Sequence, residues 1–345
     1  ISSPDDDEDG DGVSNLDEYR QGTDPRLSNR WILPEGATGA FSERLAMVNP
    51  NPEDATLTVT YLREGAPPVL RDYTVAGNSR LTVDVNSVAS LADTAVSAVV
   101  TANTGGVVVE RTMAWGNLQQ GGHTGKALAA ARTKWYLAEG HAGLFDTFIL
   151  LANANGESTE AQVSFLLEGG APVHKRYPLG PNSRTTIYTN LIPELVGQAF
   201  STTIESGLPI TVERAMYFNT PNVQWDGGHG AAAVDAPATN WFVAEGCTAG
   251  MFDMFLLLAN PGTTATTATV RYLLPSGQVV SHDYPLPPSS RTTVWVDQIP
   301  GLGNTDISAS ISAPLPIIVE RAMYWGNGAW TDGHASAGVT ATGLK

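Results

Sequence analysis

Three observations predict an all-β protein made of three tandem β-sandwich domains behind a short acidic loop. Seven landmarks recur in the same order about every 105 residues, starting from Trp31, Trp135 and Trp241. The segments between them alternate with period two, are rich in Val, Thr, Ile, Tyr and Leu, and are bounded by Gly, Pro and Asn, as half-buried strands are. A twelve-residue segment near the amino terminus carries acidic residues and glycine at fixed spacing.

The landmarks place each repeat unit between a Trp and a His. A unit opens with Trp-x-x-x-Glu-Gly, has a polar turn ending in Arg in its middle, and closes with Val-Glu-Arg-x-Met before a Gly-His pair. The middle arginines are Arg80, Arg184 and Arg291, the closing pairs are Glu110-Arg111, Glu213-Arg214 and Glu320-Arg321, and the histidines are His123, His229 and His334. We therefore divide the chain into an acidic segment, residues 1–28, and three β-sandwich repeats, residues 29–130, 131–236 and 237–345.

The strand pattern of the second unit indicates the type of sandwich. It predicts seven short strands and no convincing helix, near Trp135–Ala138, Thr147–Asn153, Glu160–Leu167, Val173–Pro178, Arg184–Thr189, Ala199–Glu205 and Ile210–Phe218. Seven strands in about a hundred residues fit an immunoglobulin-like two-sheet sandwich better than a propeller blade of ~40–50 residues. The order in which the strands pair stays open. The segments Gly125–Lys134 and Gly230–Asn240 are predicted to be short linkers or extended final strands.

Negative charge is concentrated at the amino terminus. The chain holds 19 basic and 35 acidic residues, a net charge of −16. Residues 1–25 contain nine acids and one Arg, which gives −8, so the other 320 residues share the remaining −8. The repeats therefore carry a mild excess of acidic residues. This charge favours solubility and argues against a phosphate-backbone partner, so we expect no binding to nucleic acid.

Cys247 is the only cysteine in the sequence, so an intramolecular disulfide is excluded and the thiol is expected to be a small buried filler. No apolar run approaches the ~20 residues that span a bilayer. The first residues are polar and acidic, unlike a signal peptide. We therefore expect a mature secreted chain or a soluble fragment, without a membrane span.

Residues 7–18 match a calcium loop of EF-hand type at every diagnostic position. Carboxylates at this density repel one another unless a hard cation neutralises them, and Ca²⁺ suits them better than Mg²⁺ because its coordination shell is flexible. The alternative is a disordered acidic tail. Gly12 makes the sharp turn, and the predicted oxygen ligands are Asp7, Asp9, Asp11, the Val13 carbonyl and a bidentate Glu18.

The run that begins at Val13, Val-Ser-Asn-Leu-Asp-Glu-Tyr-Arg-Gln-Gly-Thr-Asp-Pro, resembles the thrombospondin type 3 and dockerin-like calcium repeats of bacterial surface proteins. This resemblance implies a calcium-organised loop rather than a paired EF-hand domain. Leu16–Gln21 is predicted to form one or two helical turns that end at Gly22, so that Glu18 projects back towards the loop.

The closing strand of each unit carries an Arg in an apolar row. Period-two alternation puts Arg214 on one face of its strand and Glu213 on the other. A buried Arg needs an anion or an aromatic ring, so we expect Arg214 to contact Glu139 or Trp135. We expect Glu213 to pair with Arg184. The alternative is acid/base chemistry by Glu139 and Glu213, which we disfavour because an Arg recurs beside each Glu and would keep the carboxyl pKa low.

The histidines and the missing enzyme motifs agree with a structural role. His123, His229 and His334 each follow a Gly-rich turn with no further metal ligands nearby in sequence. We expect them to cap turns or to bond backbone, and the sequence leaves their role open. Neither Gly-x-Ser-x-Gly, His-Glu-x-x-His, a phosphate-binding loop nor a dinucleotide fingerprint occurs. We therefore expect that the protein is not an enzyme.

As a whole, the units resemble tandem β-sandwich repeats with Trp-x-x-Ala-Glu-Gly and Val-Glu-Arg-Ala-Met-Tyr-Trp ends in large secreted bacterial proteins. The resemblance covers about residues 31–338, and the first unit departs from it most, with Pro34 for Ala and Ser42-Glu43 for Asp-Thr. It implies a secreted or cell-surface location. The predicted function is that of an extracellular structural or adhesive protein, with sandwiches as rigid spacers and an amino terminus stabilised by calcium.

Self-assembly and two other functions stay open. Copies of the chain are predicted to join head to tail into a filament, the tail Ala335–Lys345 pairing with the Trp31 unit of the next molecule by strand addition. A cell-surface or extracellular polymer is the alternative partner. The alternative functions are an accessory region of a secreted enzyme and a carbohydrate-binding array, in which Trp225 and Trp330 would stack on sugar rings. Against the array, aromatic residues at the end of a closing strand are more often core or interface residues.

Overall fold

The computed structural model describes residues 3–7, 14–21, 29–116, 121–220, 223–326 and 330–340. These residues form a nearly all-β chain with several sheets, consistent with an all-β sandwich protein. Among them, no helix is both long and apolar enough to cross a membrane.

The one α-helix in the described part of the chain is α1 (Asn15–Gln21), beside the acidic segment. Ser14 caps its amino end, because the Ser14 hydroxyl accepts a hydrogen bond from the Asp17 amide at 3.2 Å. The Asn15 amide donates to the Asp6 carbonyl, so the start of the helix contacts the acidic run before it. The helical turns predicted for this segment are confirmed.

The first unit consists of two four-stranded antiparallel sheets. One sheet has the order fourth–third–sixth–first and the other fifth–second–seventh–eighth. Trp31 and Leu57 from one sheet pack with Leu45 and Met47 from the other in a common core. The strands are β1 (Arg30–Leu33), β2 (Phe41–Asn49), β3 (Ala55–Arg63), β4 (Val69–Val75), β5 (Ser79–Asp84), β6 (Val96–Ala102), β7 (Val108–Trp115) and β8 (Gly121–Lys126).

The second unit repeats this arrangement with one long strand. Its strands are β9 (Arg132–Leu137), β10 (Phe145–Asn153), β11 (Thr159–Leu167), β12 (Val173–Leu179), β13 (Ser183–Tyr188), β14 (Phe200–Thr220) and β15 (Val223–Ala232). The first half of β14 pairs with β11 and β9, and its second half pairs with β10 and β15. This one strand therefore serves both sheets, as β6 and β7 do in the first unit.

The third unit is built like the second. Its strands are β16 (Ala238–Val243), β17 (Phe252–Asn260), β18 (Thr266–Leu273), β19 (Val279–Leu286), β20 (Ser290–Trp295), β21 (Ser308–Trp325), β22 (Asp332–Ala337) and β23 (Val339–Thr340). The long strand β21 pairs with β18 and β16 in one sheet and with β17 and β22 in the other.

The strands predicted for the second unit agree with the structure at their centres. The first five overlap β9 to β13, and the last two are joined in β14 because the residues between them stay extended. The predicted linker Gly230–Asn240 begins inside β15, which pairs with β14 as an additional strand. The proposed boundaries after residues 130 and 236 fall between β8 and β9 and between β15 and β16.

Each unit pairs the segment after its last long strand with its own first strand. Leu128 pairs with Ile32, Val234 pairs with Tyr136, and β23 pairs with β16. The described part of the tail Ala335–Lys345 is thus taken up by the sheets of its own unit. Strand addition to a neighbouring molecule would require this segment to leave those sheets.

Candidate functional site

The recurring charged residues meet where one unit contacts the next. One end of each unit carries the Glu of the opening motif and the Arg of the closing motif, which are Glu35 and Arg111 in the first unit. We call this end the receiving face. We call the docking face the outer sheet surface of the following unit, which carries Glu213, Tyr217 and Arg184 in the second unit. The first and second units, and the second and third, meet through these two faces.

Arg111 joins the first and second units by two buried ion pairs. Its guanidinium contacts Oε2 of Glu35 in its own unit and Oε2 of Glu213 in the next, each at 2.8 Å. Glu213 also accepts a hydrogen bond from the Glu35 amide at 2.7 Å. The three side chains are at most 4% exposed, so removing Arg111 would leave two buried carboxylates without a cation.

Arg214 repeats this bridge between the second and third units. It contacts Oε2 of Glu139 at 2.8 Å and Oε2 of Glu320 at 2.7 Å. The Glu320 carboxylate also accepts hydrogen bonds from the amides of Ala138 and Glu139, both at 3.1 Å. The predicted contact between Arg214 and Glu139 is confirmed, and Glu320 is a second partner that the sequence did not identify.

A tyrosine of the docking face completes each charge cluster. The Tyr217 hydroxyl donates to Oε1 of Glu35 at 3.0 Å, and the Tyr324 hydroxyl donates to Oε1 of Glu139. Burial and the adjacent carboxylate raise the pKa of both tyrosines well above the usual value, so the hydroxyls remain donors. Glu35 and Glu139 therefore each receive an Arg from their own unit and a Tyr from the next.

The histidines lie beside the recurring Glu and Arg side chains, so the expectation that they cap turns or bond backbone is wrong. Nε2 of His123 is 3.4 Å from Oε1 of Glu35. Nε2 of His229 is 3.2 Å from the Tyr324 hydroxyl and 3.9 Å from Oε2 of Glu139. Burial, together with the nearby arginine of the closing motif, lowers the pKa of His229 well below its usual value, so its imidazole is neutral.

The electrostatics of Glu35 favour a structural role over acid/base chemistry. Burial alone would raise the pKa of this carboxyl, but His123 and Arg111 outweigh burial and lower the pKa to about 2. A carboxyl used as a general acid near neutral pH needs the opposite shift. Glu35 is therefore suited to hold charge, not to transfer protons.

The middle arginines of the second and third units bind the backbone of the preceding unit. Arg184 donates to the carbonyls of Gly36 and Val96 at 2.6 and 3.0 Å. Arg291 donates in the same way to two carbonyls of the second unit. The prediction that Arg184 pairs with Glu213 is wrong, because Glu213 reaches the closing-motif arginine of the first unit instead.

Trp225 and Trp330, the predicted ligand-binding residues, are both in contacts between units. The Trp225 indole donates to Oδ2 of Asp146 at 2.7 Å, and its ring centroid lies 5.1 Å from that of Tyr217 and 5.5 Å from that of Phe41. Trp330 has the same kind of acidic partner and is stacked on a tyrosine in the third unit. Both side chains are half-buried, and their N–H groups and ring surfaces contact protein.

No protein-family model matches the chain, and no curated protein matches it. Among solved structures, the chain is similar to protein 1070 of Thermotoga maritima, with 14% identity and a TM-score of 0.29 over 30% of this chain and 94% of that one. It is also similar to the Anabaena sensory rhodopsin transducer, with 21% identity and a TM-score of 0.23 over 25% of this chain and 98% of that one.

Most of the predicted calcium ligands lie outside the described residues. Asp9, Asp11 and Val13 are outside them, as is the side chain of Glu18, whereas Asp7 is described and exposed. Within the described ranges, no group of three or more His, Cys, Asp or Glu could hold a metal ion. The calcium loop therefore stays a prediction.

The contacts hold consecutive units in a defined orientation. Beside the charge cluster, each contact encloses a small cavity, about 200 Å³ between the first and second units and about 180 Å³ between the second and third. Because each bridging Arg is shared between two units, rotating one unit against the other would separate charges that water does not reach.

The crossing of the ion pairs between units is what sequence reasoning missed. The signal was the Glu-Arg dipeptide of the closing motif, since adjacent residues of a strand point to opposite faces. If Arg214 faces its own unit, Glu213 must face away from it. Docking of consecutive units then places Glu213 next to Arg111 and Glu320 next to Arg214.

Proposed function

We propose that the chain is an extracellular structural or adhesive protein whose three immunoglobulin-like units form a rigid, non-catalytic spacer. The observation that supports this most strongly is the buried bridge at each contact, where Arg111 and Arg214 each hold a carboxylate of their own unit and one of the next. Domains within one chain are expected to move relative to one another by default, and such mobile contacts do not require buried charges that two domains share. The secreted location rests on the resemblance of the repeats to those of secreted bacterial proteins.

The strand order gives partial support for an immunoglobulin-like unit. The second strand pairs with the fifth and the third with the sixth, as strands B–E and C–F do in immunoglobulin sheets. The first strand pairs with the sixth rather than with the second, which departs from the immunoglobulin order.

Small-angle X-ray scattering of the full chain tests the rigid spacer. We expect one fixed arrangement of the three units to fit the profile. We also expect the fit to hold when NaCl is raised from about 0.1 M to about 1 M, because buried ion pairs are screened much less than exposed ones. A profile that requires independent movement of the units would refute the proposal.

Calcium bound to the acidic segment would stabilise the amino-terminal end of this spacer. Isothermal titration calorimetry of the full chain with CaCl₂ should detect a site, and Asp11→Asn combined with Glu18→Gln should remove it. Asp5→Asn is the matched control, because Asp5 belongs to the same acidic run but precedes the loop positions. If the native chain shows no binding at millimolar calcium, the calcium proposal fails.

The carbohydrate-binding alternative has less support. Sugar-binding tryptophans offer a free ring face to solvent, whereas Trp225 and Trp330 pack on aromatic rings of their own clusters. Binding on a glycan array that is lost in the double variant Trp225→Ala, Trp330→Ala, with scattering unchanged, would favour this alternative over the spacer.

A further inference from the structure

The receiving face of the third unit is uncovered. The side chain of Glu245, the opening-motif Glu of this unit, is 74% exposed, whereas those of Glu35 and Glu139 are 4% and 5% exposed. Leu273 is 38% exposed, whereas Leu62 at the same position of the first unit is fully buried. The third unit thus presents to solvent the surface that the first and second units bury against a neighbour.

This face keeps the chemistry of the two covered ones. Arg321 contacts Oε2 of Glu245 at 2.9 Å, and its guanidinium is also bonded to Nδ1 of His334 at 2.9 Å. Phe252 and Met323 line a groove of about 930 Å³ beside this pair. The corresponding residues of the other units line cavities of about 200 and 180 Å³ inside the two contacts.

The two existing contacts show what kind of surface fits such a groove. In both, a carboxylate reaches the closing-motif Arg and the amide of the opening-motif Glu, as Glu213 and Glu320 do. An arginine reaches the carbonyl of the Gly that follows the opening-motif Glu, as Arg291 does. A tyrosine reaches the opening-motif carboxylate, as Tyr324 does. An apolar surface that includes Leu257 and Phe255 surrounds these groups.

We propose that the receiving face of the third unit binds a further β-sandwich unit with a docking face of the kind that units two and three carry. The incoming unit presents a Glu to Arg321 and the Glu245 amide, an Arg to the Gly246 carbonyl, and a Tyr to the Glu245 carboxylate, inside an apolar surface that fills the groove beside Phe252. One hydrogen bond of the existing contacts has no counterpart here. In the second unit Glu168 accepts it from the Thr293 amide, and the corresponding residue of the third unit is Pro275.

The first unit of a second copy does not fit this description. Its outer sheet keeps the two charges, Glu110 and Arg80, and both are exposed. The apolar part is lost, because Arg44, Thr112 and Ala114 occupy the positions that hold Phe, Ala and Tyr in the other two units. The occupant is therefore a unit with the full aromatic docking face, and the first unit is a cap of the array in the sense of terminal repeats.

An extended chain tests the proposal. In both existing junctions a Trp follows the His of the preceding unit by twelve positions, from His123 to Trp135 and from His229 to Trp241. Joining a second copy of residues 241–345 directly after Lys345 keeps this spacing after His334. Hydrogen exchange of the amides at positions 245–247, followed by mass spectrometry, should then slow by at least about tenfold relative to the native chain, because the incoming Glu accepts from the Glu245 amide.

The matched control joins residues 31–134, the first unit, at the same place. We expect this chain to leave exchange at positions 245–247 unchanged, because the added unit lacks the aromatic docking face. Slowing by both added units would overturn the assignment, since a second copy of the chain would then be a sufficient occupant.

Two further outcomes would also overturn the proposal. One is an added third unit whose own strands are protected while positions 245–247 exchange as in the native chain. The other is an added third unit that stays unfolded, because the same sequence folds against the receiving face of the second unit. The proposal extends the spacer function, but its failure would leave the scattering of the native chain unchanged, so the two can fail separately.

Discussion

Replacing Arg214 with Ala removes the positive charge that two buried carboxylates share. Glu139 and Glu320 would remain in the contact between the second and third units, with side chains 5% and 1% exposed. Removing one partner of a buried ion pair costs about 3–5 kcal/mol, because the other charge is left unpaired in a poorly solvating environment. We expect Arg214→Ala to lower the free energy of unfolding of this region by at least that amount.

Arg321→Ala is the matched control within the same chain. Arg321 holds the same place in the closing motif of the third unit, and its own side chain is 3% exposed, but the Glu245 side chain that it contacts is 74% exposed. Water can solvate Glu245 when the Arg is lost, so the ion pair itself contributes only about 0–1 kcal/mol, in the range of surface pairs. The difference between the two variants isolates the cost of the orphaned carboxylates.

Urea denaturation followed by tryptophan fluorescence, with hydrogen exchange to localise the loss, is the assay. Exchange is needed because a chain of several units need not unfold in one step. A rescue variant, Arg214→Met with Glu139→Gln and Glu320→Gln, should recover most of the lost stability because it leaves no unpaired carboxylate in the bridge. Equal losses in Arg214→Ala and Arg321→Ala would refute the assignment of the buried bridge.

Three further predictions follow from buried groups. Glu43 is buried, and burial raises its pKa from the ordinary value of 4.5 to about 8, so the native chain should lose stability as pH rises from about 5 through 8. Glu43→Gln should remove this loss in urea midpoints measured across that range, and a pH profile that the substitution leaves unchanged would contradict the prediction. Leu166→Ala should lower the free energy of unfolding by about 2–5 kcal/mol and Leu273→Ala by less than about 1 kcal/mol in urea denaturation, because the Leu166 residue is 3% exposed and Leu273 is 38% exposed. Similar losses in the two variants would contradict the exposure of the receiving face of the third unit. Asn153→Ala should lower the free energy of unfolding by about 1–3 kcal/mol in thermal or urea unfolding, because the Asn153 side-chain amide donates to the carbonyls of Glu157 and Gly180 at 2.9 and 2.7 Å. An unchanged stability would show that these turns form without the two hydrogen bonds.

The repeat, the strands and part of the charge cluster were predictable from the sequence. Period-two alternation is a local property, so it located β9 to β13 within a few residues without any knowledge of pairing. The need of a buried Arg for an anion within reach linked Arg214 to Glu139, although the two are far apart in sequence. The Gly of the opening motif, in contrast, has a reason that only the fold shows, since a Cβ on Gly36 would lie 2.4 Å from the carbonyl oxygen of the distant Val96.

What the sequence could not decide is which unit supplies each partner. Sequence patterns do not distinguish Arg184 of the same unit from Arg111 of the preceding unit as the partner of Glu213. Only docking of the two units selects Arg111. The same holds for Trp225, which is an exposed aromatic candidate in sequence and a packed interface residue in the fold. Strand alternation determines which way a side chain points, whereas the surface that it meets depends on long-range packing, and packing between units exists only in the tertiary structure.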